Sequence, residues 1–446
     1  MNLIGMIKNR EARIGVIGMG YVGLPLALAF AHEGFAVTGI DLNEEKVQSL
    51  NDGESYISGI DDLCDVIEAG LFRATCDLSV IREQDVISIC VPTPLSKNQD
   101  PDLSYIRSVV EELKKFMKPN ALVILESTTY PGTTEELIAN ELLRLGLKVG
   151  VDYFLCYSPE RVDPGNPTYN IYNTPKVIGG MTPNCLDLGD ALYSTICAQT
   201  VRVSTTRAAE MSKLLENTFR SVNIAFINEI ALLCDRIGIN VWEVIQAASS
   251  KPFGFMPFFP GPGIGGHCIP LDPMYLSWKV KGENFFSRFI ELSQDLNRNM
   301  PRYIVQKIGD VLNTKGKSIK GSRILLLGMA YKPNVSDWRE SPGLEIYELL
   351  EERGAILVAN DPFCEQVRTD KGQVVKIQKN IDNNELVGYD CVVLLTAHSV
   401  YDLSAIIDSG VPILDTRNAF AAFDVPTVVR IGDSMSAINE PSLVGI

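Results

Sequence analysis

The densest cluster of reactive side chains is Pro260-Gly261-Pro262-Gly263-Ile264-Gly265-Gly266-His267-Cys268-Ile269-Pro270-Leu271-Asp272-Pro273. A thiol beside an imidazole and a carboxylate suits nucleophilic chemistry, because the thiolate is the reactive form of cysteine and needs a favourable electrostatic neighbour. Pro270, followed by Met274–Val280, places a helix start just after Cys268. The positive end of that helix would favour the thiolate. Asp272, four residues on, would lie on the same side. The plain reading of any one cysteine is a small buried hydrophobe, and the other nine are read that way.

Lys213 and Asn217 are four apart in a long helical pattern and project together. Such a pair can donate hydrogen bonds to a developing oxyanion; taken alone, a solvated helix face explains it more simply. Glu160, in Ser158-Pro159-Glu160-Arg161, closes a strand where open α/β sheets place their ligands, and is a candidate acid or base.

These residues need elements to hold them. From Arg13 the chain reads as a strand (Ile14 to Ile17), the turn Gly18-Met19-Gly20-Tyr21-Val22-Gly23, a helix (Leu24 to His32) and a strand (Ala36 to Ile40) ending at Asp41. Glycines there allow a tight turn and close approach of a pyrophosphate, while Asp41 would accept hydrogen bonds from ribose hydroxyls. Leu42-Asn43 offers no Arg for a 2′-phosphate, which favours NAD over NADP. Alternation continues through strands at Val86–Val91, Ala121–Glu126, Phe154–Tyr157 and Lys176–Gly179, with helices around Tyr105–Lys115 and Thr133–Leu145. Thr206 to Gly238 then reads as one long helix or two joined ones, and Phe286 to Leu312 as another.

After the polar stretch 313–321 the βαβ pattern returns, with an acid at Asp361. Its turn, Gly328-Met329-Ala330-Tyr331-Lys332, lacks the third glycine and predicts no second dinucleotide. Lys332 and Arg339 add positive charge there, and solvated surface charges explain them equally well. The expected fold class is α/β: two Rossmann-like doubly wound domains (1–205 and 313–446) joined by a helical dimerisation region (206–312) that carries the cysteine loop.

Length and composition set outer bounds. At 446 residues the chain holds two to four domains, and a formal charge of −15 argues against nucleic acid or an anionic membrane as partner. The charge does not exclude anionic small ligands, which local groups can attract. Ten scattered cysteines without a C-x-x-C pair are expected to be reduced thiols, and three dispersed histidines make no zinc site, so no metal is expected. The N-terminus lacks the layout of a signal peptide, and no run of about 18 apolar residues reads as a membrane span. A cytoplasmic protein is expected.

Seven blocks, in order, resemble the UDP-sugar 6-dehydrogenase family: GMGYVG, CVPTPL at Cys90–Leu95, ESTTYPGTTE at Glu126–Glu135, SPER, EMSKLLENTFR at Glu210–Arg220, GPGIGGHCIPLDP at Gly261–Pro273 and AYKPNVSDWRESP at Ala330–Pro342. The resemblance implies oxidation of the C6 alcohol of a nucleotide sugar to a carboxylate with two NAD. Cys268 would capture the intermediate aldehyde and carry a thioester, with Lys213 and Asn217 stabilising oxyanions and Asp272 managing protons. Glu160 with Thr128 would position the hydrolytic water. NAD would meet Gly18, Gly20, Tyr21, Val22, Gly23, Asp41, Lys46, Thr93 and Thr128, with Arg339 reaching from the C-terminal domain. Sugar nucleotide contacts are implied at Glu160, Arg161, Val162, Lys213, Asn217 and Arg220, and at Phe259, Gly261, Gly265, His267, Arg288 and Lys332.

Many UDP-glucose members of that family carry Ser before the cysteine and Lys before the aspartate, where this chain has His267 and Leu271. The GGHC and SPER forms are similar to the N-acetylhexosamine branch, and Lys251–Phe259 to its UDP-N-acetylglucosamine members. UDP-N-acetylglucosamine is therefore the expected substrate, feeding a surface polysaccharide, with UDP-glucose or UDP-N-acetylmannosamine as alternatives. A homodimer or higher homo-oligomer is expected through the long helix. A catalytically silent regulator that binds a nucleotide sugar is the reading from another class.

Overall fold

The computed structural model describes residues 2–433 apart from 58, 61, 97–99, 164, 165, 167, 267, 370 and 424. Two compact units emerge. One comprises the chain through Glu216 together with Met274–Phe286, the other Asn217–Pro273 and the chain from Ser287 onward.

Among the described residues the first unit holds eight strands: β1 (Ile14–Ile17), β2 (Val37–Ile40), β3 (Phe72–Thr75), β4 (Val86–Ile89), β5 (Leu122–Leu125), β6 (Phe154–Tyr157), β7 (Lys176–Gly180) and β8 (Thr200–Val203). They form one sheet in the order β3-β2-β1-β4-β5-β6-β7-β8, parallel except between β6 and β7. Successive side chains point to opposite faces, so a strand covered on both faces must be apolar throughout. In β5, Leu122 and Ile124 join one buried cluster, Val123 and Leu125 the other. Register decides which residues meet at the carboxyl edge. Ile17 lies opposite both Ile40 and Ile89, which sets Gly18, Asp41 and Cys90 side by side.

The second unit repeats the plan on a smaller scale. Strands β9 (Arg323–Leu327), β10 (Ile356–Asn360), β13 (Cys391–Leu394), β14 (Ile413–Asp415) and β15 (Val428–Arg430) form an all-parallel sheet. Between them, β11 (Gln366–Arg368) and β12 (Val374–Lys376) make a short antiparallel pair. Alternation again splits the core, with Ile324 and Leu326 in one cluster and Leu325 and Leu327 in the other. The two doubly wound sheets are the expected fold class.

Helices run Thr206–Ile237, Val241–Ser249, Asp272–Lys281 and Arg288–Asn313 in the central stretch. The first is continuous, and the compact units divide it after Glu216. No helix among the described residues is long and apolar enough to cross a membrane.

Some elements differ from the sequence reading. Edge strands β3 and β8 were not expected; β8 is only partly covered and carries Arg202, whose guanidinium pairs with Asp187 and Asp190. The segment expected as a helix at Thr133–Leu145 begins with a π-helical stretch, Thr134–Ala139. Its start is tied to Glu210, a buried carboxylate that accepts from Gly132 N–H at 2.5 Å, Thr134 N–H at 2.9 Å and Thr134 Oγ1 at 2.7 Å. Burial pushes Glu210 up to about 7 against those donors.

Candidate active site

In the first unit, the turn after β1 has the shape a dinucleotide pyrophosphate needs. Gly18 has φ +96°, and a Cβ there would lie 2.6 Å from the Cys90 carbonyl oxygen. A Cβ on Gly23 would lie 1.8 Å from the Gly18 carbonyl oxygen, so the helix Gly23–His32 starts directly against the turn. At Gly20, by contrast, a Cβ would meet nothing within 4 Å, which leaves an open approach. The helix start at Val22 has no side-chain cap and no acid in its first turn, so its leading N–H groups suit an anion. Tyr21 is exposed beside it.

Asp41, after β2, accepts from Met19 N–H at 2.9 Å and Asn43 N–H at 3.0 Å, and stays partly exposed. Lys46 lies in the next helix with its ammonium 5.3 Å from the Tyr56 ring centre. Thr93 Oγ1 donates to the Thr128 carbonyl at 2.8 Å, and the Tyr275 hydroxyl donates to the Thr93 carbonyl. Open space at Gly20, uncapped N–H groups and an acid at the end of β2 together fit NAD.

The counterpart in the second unit is differently used. Asp361 is fully buried, and its carboxylate accepts from Met329 N–H, Ala330 N–H, Phe363 N–H and Cys364 N–H and faces His398 Nε2 at 3.1 Å. His398 Nδ1 accepts from Asn334 N–H at 3.0 Å, so its proton sits on Nε2. That acid organises the turn from within.

Glu160 sits just beyond β6. Its Oε1 accepts from Arg161 N–H at 2.7 Å and Val162 N–H at 2.6 Å, and Lys176 Nζ approaches Oε2 at 3.3 Å. Burial would raise its pKa, but Lys176, the Val162 N–H and Lys213 prevail and hold it below the ordinary carboxylate range. Lys213 is half-buried on the long helix. The side chain of Arg161 is committed elsewhere, to Glu216 at 2.8 Å and to the Pro175 carbonyl at 2.7 Å.

In the second unit, Asn217 and Asp272 are both buried, and Asn217 Nδ2 donates to Asp272 Oδ2. Cys268 is exposed. Its carbonyl accepts from Asp272 N–H at 2.9 Å and Leu271 N–H at 3.3 Å. The regular helix starts at Asp272, four residues after the thiol, so the expectation of a helix immediately beyond Cys268 is corrected: a turn comes first. Pro270 contributes no N–H to that turn. His267 lies outside the described residues.

The glycine loop is pressed against the 331–342 segment. Gly266 N–H donates to the Arg339 carbonyl at 3.1 Å, and a Cβ on Gly265 would sit 2.7 Å from both the Glu340 carbonyl oxygen and Tyr331 Cβ. Lys332 and Arg339 thus flank the loop, although the Arg339 guanidinium is paired with Asp337 at 2.6 Å and 2.9 Å. Phe259 stacks on Trp242 with ring centres 6.4 Å apart. Arg220 and Arg288 are exposed on their helices.

Sequence reasoning missed three residues. Arg417 lies under the loop, where a Cβ on Gly261 would be 2.6 Å from its Nη1. Its isolation from any motif gave no signal. Lys176 and Glu126 form a buried ion pair at 2.8 Å beside Glu160. An ionisable residue opening an otherwise apolar strand, Lys176-Val177-Ile178, was a readable anomaly.

Comparison with known proteins shows the family. The chain matches the UDP-glucose/GDP-mannose dehydrogenase family in its NAD binding domain over residues 12–197, its central domain over 207–299 and its UDP binding domain over 325–422. It is 39% identical over 355 residues to UDP-N-acetyl-D-mannosamine dehydrogenase of Escherichia coli (strain K12), covering 76% of this chain and 82% of that protein. It is 34% identical over 396 residues to UDP-N-acetyl-D-glucosamine 6-dehydrogenase of Pseudomonas aeruginosa, covering 88% of this chain and 92% of that one. Among solved structures, the UDP-D-ManNAc dehydrogenase of Pyrococcus horikoshii superimposes with a TM-score of 0.84 at 33% identity, covering 95% of this chain and all of that one. On matches of this extent, the chain belongs to the UDP-glucose/GDP-mannose dehydrogenase family, as an NAD-dependent dehydrogenase of a UDP-sugar.

Proposed function

We propose that the chain oxidises the C6 alcohol of a UDP-N-acetylhexosamine to the uronate, with Cys268 as the covalent nucleophile. The observation that carries this reading is the exposed Cys268 at the end of the glycine loop, one turn before the buried Asn217–Asp272 pair. Cys64 is also exposed and Cys76 is partly covered, which corrects the reading of all nine other cysteines as buried; Cys64 lies in the helix Leu63–Glu68, not in a glycine loop. NAD, when bound, supplies the hydride acceptor. Cys268 Sγ adds to the C6 aldehyde and so retains it, and the resulting hemithioacetal carbon becomes a thioester carbonyl. Lys213 and the second N–H of the Asn217 amide are assigned to the oxygen on that carbon. Asp272 accepts the thiol or alcohol proton, and Glu160, held ionised, takes a proton from the water that releases the acid, with Thr128 helping to place it.

UDP-N-acetylglucosamine is the first reading of the sugar, on the form of the 251–259 loop, and the product suits a surface polysaccharide. UDP-N-acetylmannosamine is supported equally, because relatives of both names match over most of the chain. A second copy of the chain is the proposed partner. Leu215, Phe219, Phe226 and Leu233 of the long helix are exposed, as an unpaired apolar stripe would be.

One experiment separates these readings. Purified protein given UDP-N-acetylglucosamine, UDP-N-acetylmannosamine and UDP-glucose in turn should form two NADH per sugar consumed on an N-acetylhexosamine. One NADH per sugar would exclude the thioester route, and a highest kcat/KM on UDP-glucose would exclude the N-acetylhexosamine assignment. Cys268→Ser should abolish uronate formation while leaving NAD affinity unchanged.

A further inference from the structure

Beside Glu160, the first unit contains a buried ion pair, Lys176 with Glu126, that the proposed steps do not use. Lys176 opens β7 and is only 4% exposed. Its Nζ is 2.8 Å from Glu126 Oε2 and 3.3 Å from Glu160 Oε2, and lies 5.2 Å from the centre of the Tyr193 ring. The Tyr193 hydroxyl donates to the other oxygen of Glu126.

The sheet explains why three charges converge. Glu126 follows β5 and Glu160 follows β6, both at the carboxyl edge of parallel strands. Strand β7 runs the other way, with Tyr157 opposite Gly179 and Cys156 opposite Gly180. Continuing that register sets residue 160 opposite residue 176. The single reversal in the sheet therefore delivers an ammonium to the edge where the carboxylates end.

Stability alone does not call for this arrangement. Replacing a buried ion cluster with apolar side chains is commonly neutral or stabilising, because desolvation consumes most of the Coulomb gain. Two carboxylates share one ammonium, and they are not equivalent. Burial together with Glu160 pushes Glu126 up to about 7 against the pull of Lys176. Glu160 has two backbone N–H donors and Lys213 in addition, and stays low despite its burial. Burial would depress Lys176, and the two carboxylates overcome that and raise it. Cys90 and Cys197 also face the cluster, with thiols that burial pushes up and keeps neutral. The cluster thus favours a proton on Glu126 over one on Glu160.

We propose that Lys176, held in place by Glu126, is a positioning residue for Glu160, keeping its carboxylate ionised and aimed so that it can take a proton from the hydrolytic water. The proposal rests on the assignment of Glu160 made above. In the step concerned, water gives one proton to Glu160 as its oxygen bonds to the acyl carbon. The C–S bond then breaks, its electron pair stays on Cys268 Sγ, and the carboxylic acid formed ionises to solvent. Lys176 does not touch the reacting atoms; it determines whether Glu160 has an open proton site.

The test compares Lys176→Met, Lys176→Arg and Glu160→Gln in the full chain, with NAD and the preferred UDP-sugar. Lys176→Met should bind NAD as the parent does and still form the thioester. Intact-mass measurement should then find acylated Cys268 accumulating, steady-state kcat should fall about tenfold or more at pH 7, and its acid limb should move up by about one pH unit or more. Lys176→Arg, which keeps the charge, should return the acid limb towards the parent position and clear the adduct. If Lys176→Met keeps the parent acid limb and shows no adduct while Glu160→Gln accumulates it, the role of Lys176 is overturned and that of Glu160 stands. If Glu160→Gln turns over normally without an adduct, the assignment of Glu160 itself fails. Should Lys176→Met not fold, the double variant Glu126→Gln/Lys176→Met removes one charge of each sign, and an unshifted acid limb in that protein overturns the proposal equally.

Discussion

Asn217 and Asp272 are paired inside the second unit through one amide N–H. A buried carboxylate that loses such a donor keeps its full desolvation cost. Asn217→Ala should therefore lower unfolding free energy by about 1–3 kcal/mol in urea titrations. It should also cut kcat more than it raises KM if Asn217 has the role proposed for it at the reacting carbon. The spacing of Lys213 and Asn217 marked the pair, because residues four apart on a helix share a face whatever the tertiary fold. That Asp272 takes one of the two amide N–H groups was not readable, since 55 residues and a chain reversal separate them. Glu160 was visible in the same partial way. The lysine that fixes its charge lies on a strand whose direction no local pattern specifies.

At the scale of elements, the glycine turn separates folding from binding. Gly23→Ala drives a Cβ into the Gly18 carbonyl, a backbone contact that cannot move aside, and should cost about 1–3 kcal/mol of stability as well as NAD affinity. Gly20→Ala meets no protein atom within 4 Å and does not need a positive φ. It should melt like the parent and yet bind NAD at least about tenfold more weakly, because the added methyl intrudes where the pyrophosphate passes. Thermal melts and calorimetric NAD titrations check both. Spacing of the glycines, with the acid at Asp41, made this element legible in sequence. The short edge strands β3 and β8 were not, because half-covered strands lack the continuous apolar run of central ones.

For the molecule as a whole, the net charge of −15 coexists with uncapped N–H groups at Gly18–Gly23 that suit an anion and with basic groups around the 261–266 loop. Glu210 offers a pH-dependent readout of global stability. Its pKa is raised from 4.5 to about 7 by burial. Between those values the folded chain binds the proton that the unfolded chain has lost, so this contribution is full below the unfolded value and vanishes as pH rises through about 7. The advantage of the parent over Glu210→Gln in urea unfolding should accordingly be larger at about pH 5 than at about pH 8, by about 2 kcal/mol. An equal or larger advantage at the higher pH would contradict the assignment of the proton to Glu210.

Sequence by itself determined the doubly wound sheets and the glycine turn that fits NAD, and it marked the glycine loop around Cys268, because each depends on short-range rules: side-chain period and glycine spacing. Tertiary structure alone decided which charges meet. The reversed strand β7 brings Lys176 to Glu160 and Glu126, the 331–342 segment closes on the glycine loop, and Asp272 finds Asn217. Burial and partnership are properties of the packed chain, and they set protonation states that residue types cannot reveal.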